Sequence, residues 1–247
     1  MDFRAELLEQ TRLFGELVRT TDPATPVPTC PGWTLKQLFR HVGRGNRWAA
    51  QIIADHRASE LDPRQVRDGK PPDDPDAAVD WLNEGAQLIV DAVEVVGPVR
   101  VWTFIGPRPA GWWIRRRLHE ATVHRADAAH ATGAGFELAP ELAADAISEW
   151  IELMANMSKK PPPLERGQSM HLHVTDDGLG PTGEWTVVHD DDGVWWSHNH
   201  GKGTVALRGP ATDLMLAITR RQTATDLGLD MFGDGAVWDQ WLTRTQF

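Results

Sequence analysis

Cysteine is nearly missing from this chain: Cys30 is the single one. An intramolecular disulfide is therefore excluded, as is a zinc ribbon built from thiolates, and a reducing, cytoplasmic setting is the expectation. Long apolar runs are missing too. No stretch approaches the roughly 20 residues that cross a bilayer, and the opening "MDFRAELLEQTRLFGELVRT" spreads its charges through an amphipathic pattern unlike a signal peptide. Positive charge is in deficit, 25 Lys and Arg against 35 Asp and Glu, for a net charge of −10. Phosphate backbones and anionic lipid surfaces find little to attract them in such a balance, so neither nucleic acid nor membrane is an expected partner. Three further motifs are absent: the glycine-rich phosphate loop, the dinucleotide fingerprint and the serine nucleophile elbow.

What is present is a globular composition, 41% hydrophobic and 24% charged, enough apolar material for a real core. Residues 1–157 read as helices. Phe3, Leu7, Leu8, Phe14, Leu17 and Val18 recur at helical spacing, and "TDPATPVPTCPG" then breaks the pattern. Thr34 and Gln37 have the capping-box spacing at the start of a second helix that runs to about Ala54. A third covers "AAVDWLNEGAQLIVDAVEVV", a fourth runs from about Trp112 to Ala131, and "APELAADAISEWIELMANM" makes a fifth. Such a series predicts an antiparallel four-helix bundle, whose inward positions can carry a ligand or a metal. At "SKKPPPLERGQ" the prolines favour an extended connector. A domain boundary is expected there, giving a bundle over 1–157 and a small α+β domain over 158–247. In the latter, "MHLHV", "EWTVVH", "GVWWSH" and "TVALRG" read as strands of an antiparallel sheet, covered by helices at "ATDLMLAITRRQ" and "AVWDQWL".

The fourth helix carries the densest chemistry, "WWIRRRLHEATVHRADA". At about 100° per residue, Glu120 and His124 stack on one face and Asp127 returns to it, whereas His119 points away. The zincin spacing, two histidines at i and i+4, is therefore not met. A Glu and a His one turn apart supply two metal ligands, and a catalytic zinc generally takes three from the protein. His41, between the apolar positions Leu38 and Val42 on the second helix, is the best third. Asp127 then suits a supporting role, accepting from the imidazole N–H of His124. Equally, a Glu-x-x-x-His pair arises as an ordinary core-edge pair, and a single His beside an apolar stripe as a hydrogen-bonded core residue. "SHNH" in the sheet region reads as polar strand-end surface with some metal-binding capacity. Cys30, close to a helix start, has the position of an activated thiol, yet a small buried cysteine is the simpler reading. The Arg115 to Arg117 triplet reads as mostly solvated helix surface.

"VPTCPGWTLKQLFRHVGRGNRW", followed at a distance by "HEATVHRADA", resembles the mycothiol-dependent maleylpyruvate isomerase family, a branch of the DinB-like metal-binding four-helix bundles. The C-terminal part is similar to that family's sterol-carrier-like domain. There "GPATDLMLAITRR" resembles its final-helix signature and puts Arg221 in the place of a substrate-binding arginine, with Thr219 and Arg220 where the family commonly has Trp-Gly. The resemblance implies a divalent metal, zinc, held by His41, Glu120 and His124, with Asp127 behind them. It also implies mycothiol as a low-molecular-weight thiol bound as thiolate. The expected partners are that thiol and a small electrophilic substrate, and the expected reactions cis/trans isomerisation or S-transfer. A non-catalytic ligand-binding role on the same fold is the alternative, and thiol-free metal-dependent hydrolysis a third.

Overall fold

The computed structural model describes residues 1–157 and 161–246. Its contacts divide the chain into two compact units, Met1–Phe136 and Glu137–Phe247. No helix among the described residues is long and apolar enough to cross a membrane.

The first unit is built from α1 (Phe3–Arg19), α2 (Leu35–Ala54), α3 (Pro75–Val96) and α4 (Trp112–Thr132). The ends of these helices follow from local chemistry. Asp2 caps α1 by accepting from the Arg4 N–H at 3.0 Å, and Asp74 caps α3 by accepting from Ala77 at 2.9 Å with Pro75 at the first turn. Gln37 reaches back to the Thr34 N–H at 2.7 Å, as the capping-box spacing predicts. Gly133, in the left-handed region at φ 71°, ends α4. The helices share a core in which Phe14 of α1 meets Leu35, Leu38 and Val42 of α2, Trp81 and Leu82 of α3, and Ala121 and Ala128 of α4. Small alanines on α4 let its backbone approach that core. The connection before α4 holds a two-residue antiparallel pair, β1 (Arg100–Val101) with β2 (Arg108–Pro109).

The second unit starts with α5 (Pro140–Asn156), followed by β3 (Ser169–Val174), β4 (Glu184–Asp190), β5 (Gly193–Ser197), β6 (Val205–Gly209), α6 (Ala211–Ile218), β7 (Asp230–Gly233) and α7 (Gly235–Arg244). Two expectations need correction. The division falls between 136 and 137, whereas the proline connector proposed for it begins with residues 158–160, outside the described ones. α5 belongs with the sheet: it packs on α6 and β5, and the Trp185 indole N–H donates to Ser148 on α5 at 2.9 Å. Gly133, Gly135 and Pro140 are the breakers that separate it from α4.

The sheet, moreover, is mixed rather than antiparallel. Its order is β5-β4-β3-β6-β7, and β3 pairs with β6 in parallel. After the β3-β4-β5 meander the chain crosses back over the sheet before entering β6 on the far side of β3. Strand alternation sends Met170, Leu172 and Val174 to the buried face together with Trp185, Val187, Val205 and Leu207, where α6 covers β3 and β6. His171 and His173 point to the opposite face. The edge strand β7, with Met231 and Phe232 exposed, is too short to show a pattern in sequence.

Candidate metal centre

α4 is buried nearly all round, so its polar side chains must find partners inside the protein. Glu120 and His124 rise from it one turn apart and meet His41 of α2. The three offer donor atoms that all lie within 4.8 Å of one another. His41 Nε2 stands 2.8 Å from Glu120 Oε1, and the His41 and His124 rings sit edge to face with centroids 5.0 Å apart. Trp33, from the Pro-Gly-Trp turn ahead of α2, flanks His41 at 5.0 Å. Helix α2 sends His41 here because its apolar neighbours Leu38 and Val42 are anchored in the core.

His124 Nδ1 is 2.8 Å from Asp127 Oδ2. Asp127 is fully buried and can only accept when ionised, so Nδ1 carries the proton and Nε2 keeps its lone pair for a cation. Burial holds His124 below the ordinary imidazole range, against the opposing pull of Asp127, and favours the neutral ring that ligation requires. The Cys30 thiol reaches the same Asp127 Oδ2 at 3.5 Å, so it borders the centre on the His124 side.

Glu120 is held by two guanidinium groups of its own helix, Arg117 at 3.0 Å and Arg116 at 3.3 Å. Burial by itself would raise its carboxyl. Arg117, the His41 hydrogen bond and Arg116 outweigh burial and hold Glu120 well below the usual carboxylate range. Arg117 is in turn fixed by α2, donating from Nε to Asn46 Oδ1 at 3.0 Å and from Nη2 to the Val42 carbonyl at 3.1 Å. Gly45 makes room for it: a β-carbon there would stand 2.7 Å from the guanidinium carbon.

The reading of the Arg triplet as solvated surface is thus corrected, since Arg116 and Arg117 are buried at the centre of the unit. Their spacing, three and four residues before Glu120, is the helical ion-pair spacing and was available in the sequence. His119 is buried and stands outside the cluster that contains Glu120 and His124. Arg221 lies in the second unit, just past α6, where its guanidinium donates to the Thr219 carbonyl at 2.5 Å. The Arg220 and Arg221 N–H groups close a Schellman cap on the Ala217 and Leu216 carbonyls at 2.9 and 2.7 Å. Arg220 accordingly takes the left-handed position of that cap, φ 63°, where glycine is the usual occupant.

Comparison with known proteins identifies the family. The profile of the mycothiol maleylpyruvate isomerase N-terminal domain matches residues 4–129, and that of the MDMPI C-terminal domain residues 141–240. The chain belongs to the mycothiol maleylpyruvate isomerase family. Family membership thus covers both units, and its two segments separate within residues 130–140, near the structural division. Among solved structures, the crystal structure of the mycothiol-dependent maleylpyruvate isomerase superposes with a TM-score of 0.53 at 14% identity. It covers 87% of this chain and 86% of its own, a likeness of fold. No curated protein matches the sequence.

The donor set of this family member suits a zinc-class ion. Two imidazoles and one carboxylate are a known catalytic combination that leaves a position open for a further ligand. The Asp127 contact already fixes the tautomer, and Arg117 and Arg116 hold Oε1 and Oε2 of Glu120 from its own helix.

Proposed function

We propose that the chain is a metal-dependent enzyme that uses a low-molecular-weight thiol, of the mycothiol type, as a thiolate nucleophile toward a small electrophile. The outcome is either cis/trans isomerisation by addition, rotation and elimination, or S-transfer in which the thioether bond remains. The observation that carries this reading is the convergence of His41, Glu120 and His124 on one point, from two helices, with Asp127 behind His124.

His41 and His124 would hold the ion through ring nitrogens and Glu120 through a carboxylate oxygen. Bound there, a divalent zinc-class ion supplies Lewis acidity, which lowers the pKa of a coordinated thiol so that thiolate is present at neutral pH. The protein's own contribution is preorganisation. Asp127 keeps the Nδ1 proton of His124 in place, and Arg117 keeps Glu120 ionised while being held by Asn46 and the Val42 carbonyl. Neither group has to reorganise when a ligand arrives. Trp33 beside His41 supplies an apolar wall that limits water next to the nucleophile.

The test combines metal content with turnover. His124→Ala should lose one equivalent of zinc relative to the wild-type chain in elemental analysis. Wild-type protein incubated with mycothiol and a panel of cis-enoyl acids and alkylating electrophiles should give isomer or thioether by mass spectrometry. Equal metal in both proteins would overturn the centre. Metal loss without turnover of any thiol would replace the catalytic reading by one of ligand binding, and equal activity in thiol-free buffer would replace it by hydrolysis.

A further inference from the structure

We infer that His171, His173, Glu184 and His200 form a second divalent-cation site, on the sheet of the second unit, suited to a borderline ion of the zinc class. It goes beyond the proposed reaction and rests on different residues.

Strand geometry assembles three of the four. His171 and His173 are two residues apart on β3 and share its outer face, and Glu184 of β4 is the direct cross-strand partner of His173. The fourth comes from the segment that crosses the sheet between β5 and β6. That segment is pinned over β4 by two hydrogen bonds, one of 2.8 Å between His198 Nδ1 and the Glu184 carbonyl and one of 2.8 Å from the Thr186 hydroxyl to the Asn199 carbonyl. Where it passes β3 only glycine fits, because a β-carbon on Gly203 would stand 2.8 Å from the His171 backbone nitrogen. The crossing thereby lays His200 over the two strand histidines, with its ring centroid 5.2 Å from that of His171 and 6.0 Å from that of His173.

The donor atoms of all four lie within 4.8 Å of one another. Glu184 Oε1 is 2.7 Å from His173 Nδ1 and 3.2 Å from His200 Nδ1. Tetrahedral zinc, with ligand bonds of about 2.0–2.1 Å, sets donors roughly 3.3 Å apart, so small rotations suffice to receive an ion.

A second observation points to a cation. His171 is only 4% exposed, and its Nδ1 lies 3.3 Å from the Thr186 oxygen. The Thr186 hydroxyl gives its proton to Asn199, which leaves that oxygen to accept and assigns the imidazole proton to Nδ1. Nε2 then presents a lone pair toward Glu184 Oε2, 2.9 Å away. The two buried atoms face each other without hydrogen-bond geometry, and neither has a hydrogen-bond partner among the described residues. With His171 neutral, two acceptors at that separation repel and a cation between or beside them relieves it, a role that only a proton on Nε2 could otherwise fill.

Three imidazole nitrogens and one carboxylate oxygen favour zinc, cobalt, nickel or copper over magnesium or calcium, which demand oxygen. The nearest strand cation on β6, Arg208, opposes His173 across the ladder and is turned to Asp230 at 3.5 Å. His200 is largely exposed, which leaves an entry path.

The test is cobalt(II) titration of the metal-stripped full chain. In a His124→Ala background, which disables the bundle centre, one equivalent should still bind and develop the visible absorption of a low-symmetry cobalt site. Adding His173→Gln and His200→Gln, both on the open side, should weaken that uptake at least 100-fold with the circular dichroism spectrum unchanged. Failure of His124→Ala to take up cobalt, or uptake indifferent to the two glutamines, would overturn the inference. One equivalent in wild type that His124→Ala leaves intact would remove the bundle centre while this site stands. Should the glutamine variant not fold, wild-type chain treated with diethyl pyrocarbonate decides: zinc should protect the accessible His173 and His200 from modification, and equal modification of both with and without zinc overturns the site.

Discussion

A methyl group added at Gly45 tests the support behind the bundle centre without touching any proposed ligand. The β-carbon of Gly45→Ala would sit 2.7 Å from both the guanidinium carbon and Nη1 of Arg117, about 1 Å inside ordinary contact. Arg117 cannot swing aside freely, because it is only 3% exposed and is tied to Asn46, Val42 and Glu120. Overpacking of this kind costs about 1–3 kcal/mol, and weakening hydrogen bonds of a buried charged group about 1.5–3 kcal/mol. The alanine returns about 1 kcal/mol through helix propensity. The expected net loss is about 1.5–5 kcal/mol, measured on metal-free protein by urea unfolding of the helical signal. At a mid-range slope of about 2 kcal/mol per molar urea, the midpoint falls by roughly 0.8–2.5 M. A double-mutant cycle with Arg117→Met locates the cause: without the guanidinium, Gly45→Ala should cost under about 1 kcal/mol or stabilise. A Gly45→Ala chain as stable as wild type would refute the reasoning.

Three more outcomes follow from particular contacts. Asp127→Asn replaces an obligate acceptor with a group that can also donate to His124 Nδ1, so zinc affinity at the bundle centre should fall about 10–100-fold with little change in fold, read by competition with a chromophoric chelator. Trp185→Phe removes the indole donor to Ser148 and leaves a void in a fully buried position, and should destabilise the second unit by about 2–3 kcal/mol in urea unfolding. Burial, and secondarily the charge of Asp176, raise the carboxyl of Asp213 above its ordinary range, so the folded state holds that proton more tightly than the unfolded chain. Stability from this residue is therefore lost as pH climbs from the unfolded value, about 3.9, through the raised folded one. Asp213→Asn should raise Tm at pH 7 and leave it unchanged near pH 3, as followed by calorimetry.

Much of the helical unit was legible because its signals are local. The Thr34 and Gln37 cap and the Gly133 stop are each decided within one or two turns of chain, whereas the α3 entry at Pro75 lies two residues before the start expected at Ala77. The stacking of Glu120 on His124 and the return of Asp127 follow from the helical repeat, which any α-helix obeys. His41 was accessible as a ligand candidate because its apolar neighbours disclose which way α2 faces. The buried state of Arg116 and Arg117 was not accessible, since a run of arginines beside a tryptophan pair has the composition of a surface. The close approach of α2 at Gly45, the Asn46 and Val42 oxygens that receive Arg117, and the carboxylate of Glu120 make their burial tolerable.

The sequence by itself determined the main helices and the strands β3 to β6, which residues share a helix face, and what cannot be built from a single cysteine and an acidic balance. Tertiary structure decided what lies beyond the reach of local pattern. It assigned α5 to the sheet, through contacts with residues far along the chain, and it set β6 parallel to β3. The outer-face histidines illustrate the difference most plainly. Alternation on β3 already placed His171 and His173 on one side. Whether anything met them there depended on the route of the chain between β5 and β6, a matter of which side of β3 offered an unpaired edge. That route carries His200 across the sheet, and no spacing in the sequence records it.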